Sequence, residues 1–186
     1  GNKERGYQLT GFNTDKKVLL VMGGSLGSKQ LNETIRENQE ALLHDYQIIH
    51  LTGKGLVDNT IDKKGYVQYE FVKDDLTDLL AITDTVVSRA GANAIYEFLT
   101  LRIPMLLIPL GLDQSRGDQI DNAKNFSSKG YGRYTLEDEL TQVGLLQELN
   151  DIETNRENII KQMKTYKESY TKEDLFDKIV HDALNK

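Results

Sequence analysis

With 186 residues, 38% hydrophobic and 28% charged, the chain has the length and mixture of one soluble globular domain with a full core, or of one half of a larger enzyme. A net charge of -6 removes the electrostatic footprint expected of a nucleic-acid partner, and the lack of Cys removes disulfides, thiolate nucleophiles and Cys-ligated zinc. The longest uncharged apolar stretch, Ile103 to Leu112, falls far short of the ~20 residues of a membrane span and is interrupted by Pro104 and Pro109.

Lys17 to Met22 (KVLLVM) is a continuous apolar run that stops at Gly23-Gly24, and a polar helical pattern from Ser28 to about Leu43 follows. Gln47 to Thr52 and Val67 to Val72 read as the second and third strands, with a short helix or loop over Lys54 to Lys64. Asp74 and Asp75 precede a helix over Leu76 to Thr83, where carboxylates complement the positive end of the helix. Thr85 to Ser88 is the fourth strand and Ala92 to Leu101 the next helix. Met105 to Ile108 is the fifth strand, Gln119 to Lys129 a helix, and Gly132 to Thr135 a short sixth strand. From Leu140 to Lys186 the pattern is helical, the last helix carrying Leu175, Phe176, Ile179, Val180, Ala183 and Leu184 on one stripe. Strands apolar on both faces that alternate with helices predict an α/β fold, a Rossmann-like parallel sheet of about six strands covered on both sides. One domain over 1–186 is expected, its core at about 17–135 and a helical tail at 136–186. The chain opens Gly1-Asn2 rather than with Met, and the expectation is a piece excised from a longer protein.

In such sheets ligands bind beyond the carboxyl ends of the strands, where helix N-termini present backbone N–H groups. Two glycine loops fall there: GGSLGS, Gly23 to Ser28, and SRAGAN, Ser88 to Asn93. Glycines let backbone approach an anion, and Ser25 and Ser28 add hydroxyls, although glycines after a strand also serve as turn residues alone. GGSLGS has neither the GxGxxG register of a dinucleotide fingerprint nor the GK[ST] ending of a Walker loop, which disfavours NAD binding and ATP hydrolysis. Glu97, in the second turn of the helix that starts at the SRAGAN loop, has the chemistry to accept two hydrogen bonds from a ribose diol, or is an exposed helix glutamate. Arg89 reads as a phosphate contact or as the ion-pair partner of a carboxylate such as Glu97. Asp118, Gln119 and Asn122 offer groups suited to sugar hydroxyls, with Asn122 equally able to tie down its own helix. His44, His50 and His181 form no ligand spacing, so neither metal nor cofactor is expected.

GGSLGS, FVKDDL, SRAGANAIYE, IPMLLIP and DQIDNA, in this order and spacing, resemble the carboxyl-terminal domain of the MurG family, the peptidoglycan N-acetylglucosaminyltransferases that convert lipid I to lipid II. The likeness covers Lys17 to Tyr134 in distinct motifs and the tail more loosely. It implies one lobe of an inverting GT-B glycosyltransferase, the lobe that binds UDP-GlcNAc. Position by position, Gly24, Ser25 and Gly27 would face the diphosphate and the backbone at Val72 would read the uracil. Ala92, Asn93, Ala94, Ile95, Tyr96 and Glu97 would wrap the nucleotide sugar, with Arg89 beside it and Glu97 on the ribose. Asp118, Gln119 and Asn122 would lie toward the sugar, Gln119 on the GlcNAc hydroxyls. Leu26 and Asp118 depart from the family, which often has Gln at each. The resemblance also implies that the lipid I acceptor site, membrane contact and general base belong to an amino-terminal lobe. No catalytic residue is therefore assigned here, and the whole protein is expected in the cytoplasm, peripheral on the inner face of the membrane. The same donor architecture would serve another lipid glycosyltransferase, such as a diacylglycerol glucosyltransferase, or a non-catalytic nucleotide-sugar-binding module.

Overall fold

The computed structural model describes residues 1–24, 27–111 and 117–166. Six strands, β1 (Lys17–Met22), β2 (Tyr46–Leu51), β3 (Tyr66–Tyr69), β4 (Thr85–Ser88), β5 (Met105–Leu107) and β6 (Gly132–Tyr134), form one parallel sheet in the order β3-β2-β1-β4-β5-β6. The central strands are the most apolar for a physical reason. Val18 to Val21, Ile48, Ile49, Val86 and Val87 are fully enclosed because helices cover both faces. The helices are α1 (Lys3–Thr10), α2 (Lys29–Glu37), α3 (Gln39–Asp45), α4 (Leu76–Ile82), α5 (Ala92–Leu101), α6 (Asp118–Ser128), α7 (Gln142–Thr154) and α8 (Arg156–Thr165).

Two differences from the sequence reading are local. The helix expected from Ser28 to Leu43 is two helices, broken at Asn38, whose Nδ2 donates to the Thr34 carbonyl (2.9 Å) while its own carbonyl accepts from Leu42 N–H (2.9 Å). Asn offers the backbone this local alternative to continuing a helix. The third strand ends at Tyr69 rather than Val72, which turns Glu70 to Val72 into a loop at the sheet edge. Residues 54–64 are loop, one of the two forms expected there, and the stripe from Leu175 to Leu184 lies outside the described residues.

Helix α1 was not expected, although it has clear end signals. Asn2 caps it by accepting from Arg5 N–H (3.2 Å), and Gly11 ends it with φ 68°. It packs on α4 through Gly6, where an added Cβ would meet the Asp78 carbonyl. Arg5 pairs with Asp75 and with Asp78, the latter at 3.2 Å.

The strand order reverses between β1 and β4, so the crevice that such sheets use for ligands opens where these two strands end. The end of β1 runs into GGSLGS and the end of β4 into SRAGAN. Both candidate loops therefore flank one switch point.

Candidate functional site

Gly24 and Gly27 have φ of 85° and 75°, conformations that resist a side chain, and the Gly27 N–H donates to the Gly24 carbonyl (3.0 Å) to close the turn. A Cβ at Gly27 would run into the Thr52 carbonyl oxygen, whereas one at Gly24 would meet open space. Gly27 is thus fixed by contact with the strand behind it, and Gly24 by its backbone conformation on the outer side. Ser25 and Leu26 lie outside the described residues.

Ser28 is not available as an anion donor. Its Oγ accepts from Leu31 N–H (3.2 Å) as the N-cap of α2 and donates to Glu137 Oε1 (2.6 Å). Behind it, Asn32 on α2 donates through Nδ2 to the Thr52 carbonyl (2.8 Å) and faces His50 Nε2 through Oδ1 (2.9 Å). His50 Nδ1 lies 2.7 Å from the Tyr66 hydroxyl. The Thr52 carbonyl only accepts, so Asn32 Oδ1 must accept from His50, and His50 is the Nε2–H tautomer with Tyr66 donating to Nδ1. Burial, with the nearby Arg36 charge, pushes His50 down to about 3, and burial pushes the Tyr66 phenol up to about 12. Both groups stay neutral, which suits a buried brace between β2, β3 and α2.

At the second loop the N-cap of α5 is Gly91, so no side chain caps Ala92, Asn93 and Ala94 in its first turn. Ile95 is different. Its side chain is fully buried and its N–H donates to the Gly91 carbonyl (3.1 Å), so it belongs to the core and not to a ligand contact. Arg89 also departs from expectation. It is 7% exposed, its Nη2 donates to Glu137 Oε1 (2.6 Å) and its Nη1 to the Ile108 carbonyl (3.1 Å). The guanidinium is therefore inside the base of the loop, paired with Glu137 rather than Glu97 or an exposed phosphate site. The Glu97 side chain is exposed and makes no ion pair or hydrogen bond among the described residues; it lines a cleft of about 370 Å³ with Thr77, Leu80 and Tyr96. Tyr96, 46% exposed, packs its ring edge-on against Phe126 with centroids 5.4 Å apart.

Around the fifth strand's loop, Gln119 Oε1 accepts from Leu110 N–H (3.1 Å), which leaves its amide NH2 as the group able to meet a ligand. Asn122 Nδ2 donates to the Ala90 carbonyl (3.1 Å) and so ties α6 to the SRAGAN loop. Asp118 is exposed in the first turn of α6; residues 112–116 lie outside the described residues.

The shortening of β3 shapes a cleft around Val72, the position that the resemblance assigns to the uracil. Phe71 (65% exposed) and Val72 line a cleft of about 530 Å³ with Met22, Gly24, Leu51 and Leu76, together with the charged Lys54, Glu70 and Lys73. Its apolar wall stands beside Gly24 of the glycine loop. A larger cleft, about 730 Å³, opens at the opposite end of the sheet, at the start of β1 and β2, near Lys17, Tyr46 and Glu153. Its charges bind one another. Burial would raise the Glu153 carboxyl, but Arg156, Lys17 and Thr85 hold it at about 2. That end of the sheet is scaffold. Among the described residues no group of three or more His, Cys, Asp or Glu is placed to hold a metal ion, and no helix is long and apolar enough to cross a membrane.

Residues 18–179 match the glycosyltransferase family 28 C-terminal domain. The chain belongs to this family. A Staphylococcus epidermidis protein named UDP-N-acetylglucosamine--N-acetylmuramyl-(pentapeptide) pyrophosphoryl-undecaprenol N-acetylglucosamine transferase is 85% identical over all 186 residues, which cover 52% of that protein. A Staphylococcus aureus protein of the same name is 71% identical over 185 residues, again 52% of its length. The chain thus spans about half the length of the curated relatives it matches. Among solved structures, Acinetobacter baumannii MurG superposes with a TM-score of 0.65 at 22% identity, over 85% of this chain and 46% of that one. The kitacinnamycin glycosyltransferase gives 0.67 at 23%, over 81% and 38%. These family 28 and glycosyltransferase likenesses fix the sheet as one lobe of a GT-B fold.

Proposed function

We propose that this family 28 domain binds UDP-GlcNAc and forms the donor lobe of an inverting transferase that adds GlcNAc to lipid-linked MurNAc-pentapeptide in peptidoglycan synthesis. The observation that carries the reading is the convergence, at one switch point, of the Gly24–Gly27 turn, the uncapped start of α5 and the apolar cleft at Val72. The names of the Staphylococcus relatives support the choice of donor and acceptor. The uracil would lie in the Phe71–Val72 cleft, with the diphosphate between Gly24 and the N–H groups of Ala92 to Ala94. Glu97 would take the ribose diol and Gln119 the GlcNAc hydroxyls.

In this geometry the C4 hydroxyl of MurNAc attacks the anomeric carbon from the face opposite the leaving UDP, so the configuration inverts. Negative charge develops on the departing diphosphate, and N–H dipoles already oriented toward it stabilise that charge without reorganising. This is the physical reason to propose transfer without a metal ion or cofactor. Acceptor, general base and membrane contact at the inner face of the cell membrane are assigned to the remaining half of the full-length protein.

Calorimetry of the chain with UDP, UDP-GlcNAc, UDP-glucose and ADP tests the reading. Binding of UDP and UDP-GlcNAc that survives a chelator, with UDP-glucose and ADP weaker, is expected. Preference for ADP would overturn the uridine assignment, and preference for UDP-glucose would favour a glucosyltransferase instead.

A further inference from the structure

Glu137 lies on a single 3-10 turn, Glu137–Glu139, just after β6, in an acidic stretch with no motif. Its carboxylate nevertheless is largely buried, with 11% of the side chain exposed. One oxygen, Oε1, accepts both from Ser28 Oγ at 2.6 Å and from Arg89 Nη2 at 2.6 Å. The Glu137 carbonyl also accepts from Gln30 Nε2. Ser28 ends the GGSLGS loop and begins α2; Arg89 begins the SRAGAN loop. A single atom thus joins the two loops that flank the switch point, and both donors point into protein rather than solvent.

We infer that Glu137 is a positioning residue that sets the separation of the two loops and so preorganises the diphosphate site. This rests on the donor-site reading above. The diphosphate must be met from both sides at once, by the Gly24–Gly27 turn and by the first turn of α5. Their separation is therefore the quantity that binding depends on, and an ångström-scale error there weakens every contact together. Arg89 cannot perform the task without its partner. Its guanidinium is nearly enclosed and needs an acceptor oxygen at this position, while its Nη1 anchors to Ile108 at the end of β5. Glu137 touches no ligand in this scheme and acts through Ser28 and Arg89.

The test compares wild type, Glu137→Gln and Glu137→Ala of this chain by thermal unfolding, amide NMR without ligand and UDP titration. Gln keeps an oxygen that can accept from both donors; Ala removes the bridge. Without ligand, Glu137→Ala should move the amide signals of Gly24 and Gly27 on one loop and of Gly91 and Ala92 on the other, while signals of β2 stay in place. UDP affinity should fall by about tenfold in the Ala variant and recover most of that loss in the Gln variant. A folded Ala variant whose loop signals and UDP affinity equal those of wild type would overturn the inference, as would equal losses for Gln and Ala. If Glu137→Ala does not fold, Glu137→Asp, which keeps the charge but shortens the reach, is judged by the same two readouts. Wild type that binds no UDP would refute the donor-site reading alone, because the ligand-free coupling of the two loops is measured separately.

Discussion

Protonation of His50 offers a quantitative test of the brace behind the glycine loop. His50 is fully buried, donates to Asn32 and accepts from Tyr66, and its ordinary value of 6.5 is pushed down to about 3 by burial and by Arg36. The folded protein therefore holds the ring neutral while the unfolded chain takes up a proton as pH drops below 6.5. Stability from this group is fully present above 6.5 and is lost as pH falls from there toward about 3. Each unit is worth ~1.36 kcal/mol, so at pH 5, ~1.5 units below the unfolded value, the loss reaches about 2 kcal/mol. Urea unfolding followed by far-UV circular dichroism, run from pH 8 to pH 5 on wild type and on His50→Gln, isolates the effect. The variant is expected to be less stable at pH 8, with a gap that narrows by about 2 kcal/mol at pH 5. Contributions of His44, His181 and the carboxylates cancel in the difference. A gap independent of pH would refute the neutral, buried imidazole.

Three further outcomes follow from the site and its scaffold. Glu97→Ala should weaken UDP binding by about 1 to 3 kcal/mol, the range for hydrogen bonds to a charged group, and should have little effect on 2′,3′-dideoxy-UDP; equal losses for both ligands would show that Glu97 acts through structure. Gly27→Ala should destabilise the first loop and lower UDP affinity, because φ is 75° and the new Cβ would strike the Thr52 carbonyl, whereas full affinity with unchanged stability would contradict the observed turn. Glu153→Gln should lower the melting temperature at neutral pH, and the deficit should shrink as pH falls from 4.5 toward about 2, since the folded carboxyl is held below its unfolded value. A deficit that grows in acid would mean that the Lys17–Glu153–Arg156 cluster does not hold the carboxylate.

The sheet was legible in the sequence because its strands are enclosed on both faces. A run such as Val18 to Val21 admits few other readings, and β1 and β4 were placed to the residue. The two loops were legible for a related reason: glycine after a buried strand marks a backbone that turns or meets something closely. What local pattern did not reveal is partner choice. Arg89 had a carboxylate eight positions away in Glu97, yet it pairs with Glu137, 48 residues distant, and that same oxygen reaches Ser28, 109 residues distant. Neither separation leaves a trace in spacing, and LEDEL resembles any solvated acidic face. Val72 was named by resemblance, but the cleft around it was not foreseen, because VQYEFV has the composition of a strand and only the pairing with β2, which ends at Leu51↔Tyr69, decides where it leaves the sheet. The candidate residues were thus proposed from local chemistry and from the family resemblance, while the residues that hold the two loops in place are supplied by the topology. In this chain the topology returns β6 to the sheet edge, and with it Glu137, whose carboxylate reaches both loops at the switch point between β1 and β4.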